Sequence, residues 1–347
     1  MSLTSYDTWL KAILLLVAGY IIIAVTPVYL PVIVSLIMAF ILNPLVNYFS
    51  GLHFGSSTFK ISRGIAVLLS FIFAIIVIFA IGTFVLLPFI HEFDKLIINL
   101  PALLLRIQDM TINLEQYTNM LEMPNNVHML IQQTIASAAA FSADLARHIL
   151  RVILGFASSL VQLVVVPVLT YYFLKDWLIL KEKIILMFAV NSRRRARHVI
   201  EEMALVISGY IRGQVLISIV MGCIVFSGMY ILKVDYPLVL GLLAACTETI
   251  PIIGPIIGSI PAIILAYLIV PSLAIKVIMF YIIVHQIENH IIVPNIMGHT
   301  IDLHPVFVII SLLIGGQLFG IIGMMMAVPV AALLRIIVKL VWNTSER

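Results

Sequence analysis

The sequence predicts an all-α polytopic membrane protein with about six full transmembrane helices plus two opposed helical hairpins, roughly eight membrane segments. Three observations lead to this class. Of the 347 residues, 63% are hydrophobic and only 10% are charged, whereas a soluble domain carries about 25% charged residues. Several uncharged stretches have the length, about 20 residues, that an α-helix needs to cross a bilayer. Two longer apolar stretches are interrupted near their centres by Pro and Gly, which break a helix.

The first part of the chain, residues 1–90, is predicted to form three transmembrane helices. The stretch Ala12–Leu52 contains no Asp, Glu, Lys or Arg and is long enough for two helices, with the turn expected near Pro27 and Pro31. Gly64–Ile90 is the third uncharged stretch. The first stretch is too long for a signal peptide and has no small-residue cleavage pattern, so we expect it to belong to the mature protein.

The next three segments differ in charge. Residues 91–151 mix acidic and apolar positions at helical spacing, which predicts an extracytoplasmic amphipathic segment. Residues 152–174 predict a transmembrane helix, kinked at Pro167. Residues 175–212 are basic and are predicted to form a helical segment. The positive-inside rule places this segment and both termini in the cytoplasm. Within it, a cluster of arginines is expected to bind anionic lipid headgroups: Arg193, Arg194, Arg195 and Arg197.

Residues 213–341 are predicted to form a transport core. Gly213–Leu232 is one crossing, and the cytoplasmic C-terminus requires an odd number of crossings after it. The simplest solution makes Val277–Val293 a full crossing, Tyr236–Ile275 a hairpin entering from outside, and His304–Leu334 a hairpin entering from the cytoplasm.

This alternation suggests an inverted repeat, in which two similar halves have opposite topology. The spacing that separates Pro237 from Pro261 also separates Pro305 from Pro329. The alternative is chance recurrence, because membrane helices are rich in Pro and Gly.

Two carboxylates stand out within these apolar stretches. A charged side chain at the bilayer centre costs about 2.5 kcal/mol or more, so it persists only if it is paired, protonated or wetted. Glu248 precedes a Pro-Gly-Pro interruption and Glu288 lies inside a predicted crossing. Either could bind a substrate, a proton or a cation. Alternatively, Glu248 is a protonated group that bonds a broken helix end, and Glu288 is an interfacial residue paired with Lys or Arg.

The predicted substrate- or ion-binding residues are the polar and turn-forming positions of the two hairpins and the crossing between them: Glu248, Pro251, Gly254, Pro255, Gln286, Glu288, Asn289, Gly315, Gly316, Gln317 and Gly320. The glycines could equally serve close helix packing.

Other chemistries find no support in the sequence. His285, His290, His299 and His304 lack metal-binding spacing, and no phosphate-binding loop or nucleophile elbow is present. We therefore expect no metal, no cofactor, no nucleic-acid partner and no enzymatic activity. The two cysteines, inside apolar stretches, are expected to be small buried residues.

The chain from Gly209 onward resembles one family, the AI-2E (autoinducer-2 exporter) transporters, also called PerM-type permeases. The motifs that carry the resemblance are GYIRGQ at 209–214, IPIIGP at 250–255, the Gln286-x-Glu288-Asn289 signature that continues to Met297-Gly298, LHP at 303–305, LLIGGQLFGIIG at 312–323 and VPVAA at 328–332.

The resemblance implies a multi-pass permease of the bacterial inner membrane that forms a homo-oligomer, with a pentamer as one option. It implies export of a small polar solute such as autoinducer-2 or, as an alternative, Na⁺(Li⁺)/H⁺ antiport. A non-transporting membrane scaffold is a third hypothesis. Because no ATP-binding motif is present, transport would be gradient-driven or passive.

Overall fold

The computed structural model describes residues 26–52, 61–96, 98–99, 160–298 and 303–342, with isolated positions at 102, 133, 137 and 140. The chain before residue 26, most of the predicted amphipathic segment 91–151, and His299 lie outside the described residues. Every regular element in the described part of the chain is a helix. The predicted all-α class is therefore confirmed.

The described chain forms two compact units, and the first contains three helices. These are α1 (Thr26–Gly51), α2 (Arg63–Ile81), which belongs to this unit up to Ile75, and α3 (Leu160–Leu186). The Arg63 guanidinium donates from Nε to the Leu174 carbonyl at 2.7 Å and so ties α2 to α3.

The turn that the sequence predicts near Pro27 and Pro31 is wrong, because both prolines belong to α1. Pro27 lies in the first turn, where a missing N–H has no helical partner to lose. Pro31 removes only one intrahelical hydrogen bond. In the following turn, the buried Ser35 hydroxyl contacts the carbonyls of Pro31 at 2.5 Å and Val166 at 3.2 Å.

The second unit begins within α2, which passes through a π-helical turn at Gly82–Leu86 and stays helical to Leu96. After a short 3-10 turn at Val190–Ser192 comes the 40-residue helix α4 (Arg193–Leu232). The predicted segment boundaries at 174 and 212 fall inside α3 and α4. A change from apolar to basic side chains does not end a helix unless Gly, Pro or a cap accompanies it.

The first predicted hairpin is present, as α5 (Pro237–Thr247) and α6 (Gly254–Ile269) joined by a turn. The Glu92 carboxylate accepts hydrogen bonds from the Leu238 and Val239 N–H groups at 3.0 and 3.3 Å, and so satisfies two free donors at the start of α5. At the tip, a methyl group on Gly254 would overlap the Thr247 carbonyl. The two legs of the hairpin therefore meet backbone to backbone.

The predicted crossing Val277–Val293 lies within a continuous helical segment, Pro271–Met297. It consists of α7 (Pro271–Ile287), a π-helical turn (Glu288–Ile292) and the short α8 (Val293–Met297). The π-helical turn begins at Glu288, and such turns inside α-helices often accompany functional sites.

The second hairpin is formed by α9 (Pro305–Trp342), in which the chain reverses at Gly320. This residue has φ 60° and ψ −139°, a combination that is essentially restricted to glycine. The reversal brings the backbones of Gly315 and Gly323 into contact, since a methyl group on either would overlap the other's carbonyl.

The two hairpins touch each other. Ile250 at the tip of the first hairpin packs in one cluster with Leu312 and Ala327 of the second. These two residues lie seven or eight positions from Gly320, which is about 10–12 Å along a helix. The first tip therefore packs against the legs of the second hairpin.

Five segments of the described chain are long and apolar enough to cross a membrane: Pro31–Gly51, Arg63–Leu96, Val190–Leu232, Pro271–Met297 and Pro305–Lys339. The last of these is the folded second hairpin. Large apolar side chains such as Phe79 and Phe84 are exposed, as expected where lipid is the solvent. Cys223 and Cys246 are also exposed, so the prediction that they are buried is wrong, because an apolar neighbourhood in a membrane helix does not imply a packed one.

Candidate functional site

Glu248 lies at the tip of the first hairpin, where α5 ends. The residue is 3% exposed, and its N–H still completes the helix by bonding the Ala244 carbonyl at 2.9 Å. Its own carbonyl accepts a hydrogen bond from the Gln214 side-chain amide of α4 at 2.6 Å. The broken end of α5 is thus held by a side chain from a neighbouring helix, which leaves the Glu248 carboxyl group free for another role.

Glu288 is the second buried carboxyl group, at 5% exposure. It is a close neighbour of Glu248, and the two carboxyl groups interact electrostatically. Two neighbouring carboxylates in a buried site repel each other, and the repulsion falls when one of them binds a proton or a cation. The geometry therefore favours a pair that shares one proton or holds one cation. We call Glu248 and Glu288 the carboxyl pair.

A histidine connects the carboxyl pair to the surface. The His285 Nδ1 lies 3.1 Å from the Glu288 Oε2, and the His285 side chain is 43% exposed against 7% for that of Glu288. His285 is one turn before Glu288 on the same helical segment. The predicted interfacial pairing of Glu288 with Lys or Arg is replaced, among the described contacts, by His285 and Glu248.

The remaining predicted site residues lie at different places. Gly254 is buried in the first tip, and Pro251 and Pro255 are partly buried beside it, whereas Gln286 and Asn289 are exposed. Gly315, Gly316, Gln317 and Gly320 belong to the second hairpin, and no contact found within the described ranges joins them to the carboxyl pair.

The structure adds three residues that were not predicted as site residues, all on one stripe of α4. Tyr210, Gln214 and Ser218 follow one another at intervals of four and are all buried. Gln214 binds the Glu248 carbonyl, whereas the Tyr210 hydroxyl and the Ser218 Oγ have no hydrogen-bond partner in the described part of the chain. Polar residues at helical spacing in an apolar stretch were the signal that could have revealed them.

The chemistry of these groups suits a proton or a hard cation. Within the described ranges, no three His, Cys, Asp or Glu side chains converge as ligands of a metal ion. The carboxyl pair and the hydroxyl groups offer oxygen, the ligand atom that hard cations prefer.

Comparison with known proteins agrees with this architecture. The AI-2E family transporter profile matches residues 10–343. The protein YrrI of Bacillus subtilis is 26% identical over 323 residues, covering 89% of this chain and 85% of its own length. The sodium-lithium/proton antiporter of Halobacillus andaensis is 27% identical over 334 residues, covering 90% and 89%. The chain belongs to the AI-2E family of transporters and is a multi-pass membrane protein of bacterial type.

Proposed function

We propose that this protein is a gradient-driven antiporter in which the carboxyl pair exchanges a proton for Na⁺ or Li⁺. The observation that carries this proposal is that Glu248 and Glu288 are neighbours and are both nearly fully buried. If Glu248 had only a structural role, it would not need a second buried carboxyl group beside it. The antiporter from Halobacillus andaensis, similar over 90% of this chain, provides independent support.

Charge balance explains why such a pair suits exchange. Two bare carboxylates in a low-dielectric site would repel each other strongly and would lack solvation. One proton or one monovalent cation reduces the charge of the site by the same amount. If either must be present, then the entry of the cation displaces the proton, and the two ions compete for one site. This competition is the basis of obligatory exchange.

Export of a small polar solute, such as autoinducer-2, is the second candidate. The description of the family supports it, as do the uncharged polar groups of Tyr210, Gln214 and Ser218, which could hydrogen-bond a neutral solute. In this case the carboxyl pair would couple proton movement to the movement of the solute. A membrane scaffold is the weakest candidate, because a scaffold has no use for buried carboxyl groups.

A flux assay on purified protein in proteoliposomes separates these functions. With an imposed pH gradient, we expect Na⁺ or Li⁺ to release protons in wild type, and Glu248→Gln to reduce this exchange at least tenfold, which corresponds to about 1.4 kcal/mol. Glu288→Gln should have the same effect, because either substitution breaks the pair. Glu202→Gln on α4, a carboxylate outside the pair, is the matched control and should exchange like wild type.

The antiporter proposal would be abandoned if wild type released no protons with either cation. Proton-coupled uptake of autoinducer-2 by the same vesicles would then support the exporter. Wild-type vesicles that moved neither ions nor this solute would favour the scaffold.

A further inference from the structure

We propose that the Ser218 hydroxyl is a third ligand of the cation at the carboxyl pair. This ligand raises the affinity of the site for Na⁺ and Li⁺ and has far less effect on its affinity for a proton. This inference rests on the proposed function. It assigns a residue on a third helix, α4, to a site that is otherwise formed by the first hairpin and the crossing after it.

The first observation is the unusual state of the Ser218 hydroxyl. It is buried, with the residue 7% exposed, and has no hydrogen-bond partner among the described residues. Leaving a buried polar group unpaired costs about 1–3 kcal/mol, so the group calls for an explanation.

Comparison with other buried hydroxyls shows that this state is avoidable. Ser35, Ser70 and Thr170 each contact the carbonyl four residues earlier on their own helix, at 2.5–2.8 Å. Ser218 is also inside a helix, where the same bond to the Gln214 carbonyl is available. Its hydroxyl does not form that bond, so it remains available to a ligand.

The packing of α4 against α5 places Ser218 at the hairpin tip. A methyl group on Gly222 would touch Ala245 and the Gly241 carbonyl, so Gly222 faces the last turns of α5. Gln214 binds the Glu248 carbonyl. Ser218 lies midway between Gly222 and Gln214 on the same stripe, because residues four apart share a helix face. It therefore faces the end of α5, where Glu248 begins the turn.

The packing of α4 against the Pro271–Met297 segment places Ser218 at the same level as Glu288. Ile217 and Met221 form a cluster with Val284 on one side of Glu288 and Ile292 on the other. Ser218 stands between Ile217 and Met221 in the chain. Two independent helix contacts thus bring Ser218 to the level of the carboxyl pair.

The chemistry of a hydroxyl fits a cation site that also binds protons. Ser Oγ offers lone pairs to a cation and an O–H to a carboxylate, so it can serve both states of the pair. When one Na⁺ binds, one proton leaves the pair for water, and the net charge of the site does not change. A bare proton needs only a carboxylate, whereas a dehydrated cation needs several oxygen ligands. Removing Ser218 Oγ should therefore weaken cation binding far more than proton binding.

The test is Ser218→Ala in proteoliposomes, with exchange measured as a function of Na⁺ and Li⁺ concentration. We expect the half-saturating cation concentration to rise about tenfold, equivalent to the loss of one ligand of about 1.4 kcal/mol, with the maximal rate nearly unchanged. Binding of radioactive Na⁺ to the purified protein should weaken by the same factor. Ser218→Thr keeps the hydroxyl and should remain close to wild type.

Ser70→Ala is the matched control, because it removes a buried serine hydroxyl that bonds the Ala66 carbonyl of its own helix. Ser70 belongs to the first compact unit, whereas the candidate site belongs to the second. Ser70→Ala should leave the half-saturating concentration unchanged. Wild-type affinity in Ser218→Ala, or equal losses in Ser218→Ala and Ser218→Thr, would overturn the role of Ser218 alone. A wild type that exchanges no cation would overturn the proposed function together with it.

Discussion

At the scale of single residues, the backbone and the side chain of Glu248 have separate roles at the end of α5. The Gln214 amide holds the Glu248 backbone carbonyl, while the Glu248 carboxyl group faces Glu288. Because the two tasks use different atoms of Glu248, the structural role and the chemical role of this residue can be separated by mutation. Glu248→Gln keeps the backbone carbonyl and the size of the side chain but cannot ionise.

Gln214→Leu tests the structural role, which is the hydrogen bond from Gln214 to the Glu248 carbonyl. It leaves the Glu248 carbonyl without its donor inside a buried region, and we expect a loss of about 1–3 kcal/mol in the free energy of unfolding. The thermal midpoint in detergent should therefore fall. Glu248→Gln, by contrast, should retain the wild-type midpoint while losing exchange. Equal midpoints for Gln214→Leu and wild type would show that this bond does not hold the hairpin tip.

At the scale of helices, the chain reverses direction through a different turn geometry in each hairpin. The first uses a short turn in which Ile252 adopts φ 68°, an unfavourable backbone conformation for a β-branched residue. The second uses Gly320 together with the contact of Gly315 and Gly323. In both cases the backbones approach so closely that only glycine fits.

Gly323→Ala tests the close contact between the two legs of the second hairpin. The added methyl group would overlap the Gly315 carbonyl, so the legs must separate. We expect a lower thermal midpoint and, because the cluster with Ile250 is disturbed, a large loss of transport. Gly51→Ala is the control, since nothing lies within 4 Å of its added methyl group. If Gly323→Ala were as stable and active as Gly51→Ala, the close contact of the legs would not matter.

The hairpins were predictable from the sequence, whereas the site was predictable only in part. Overlong apolar stretches with central Pro and Gly indicate a reversal whatever the tertiary packing. Glu248 and Glu288 could each be selected, because a lone carboxylate in an apolar stretch is costly. Their contact could not be predicted, because it depends on how α5 and α7 pack on α4. Gln214 and Ser218 were missed for the same reason, since polar residues in a membrane helix show their partners only after packing.

At the scale of the whole molecule, the expected orientation and assembly remain predictions. The four arginines of the basic cluster lie at the start of α4. This helix makes up most of the apolar segment Val190–Leu232. The positive-inside rule places this end in the cytoplasm. Contact with anionic headgroups and assembly into a homo-oligomer are proposals of the same kind.

Cysteine labelling in intact cells tests the orientation. In a background without Cys223 and Cys246, a cysteine at Arg195 should resist a membrane-impermeant reagent and react after the cells are opened. A cysteine at Asp94, in the predicted extracytoplasmic segment, should react in intact cells. Strong labelling at position 195 from outside would reverse the topology.

The central claim is that the carboxyl pair loses a proton when a cation binds. Infrared difference spectroscopy on the purified protein measures this directly, because a protonated carboxyl group has its own C=O stretching band. On addition of Na⁺ or Li⁺, we predict that this band weakens in wild type and in Glu202→Gln, and that the change is absent in Glu248→Gln and in Glu288→Gln. A wild-type spectrum in which the band does not respond to either cation, or a response that persists unchanged in both pair variants, would contradict the claim.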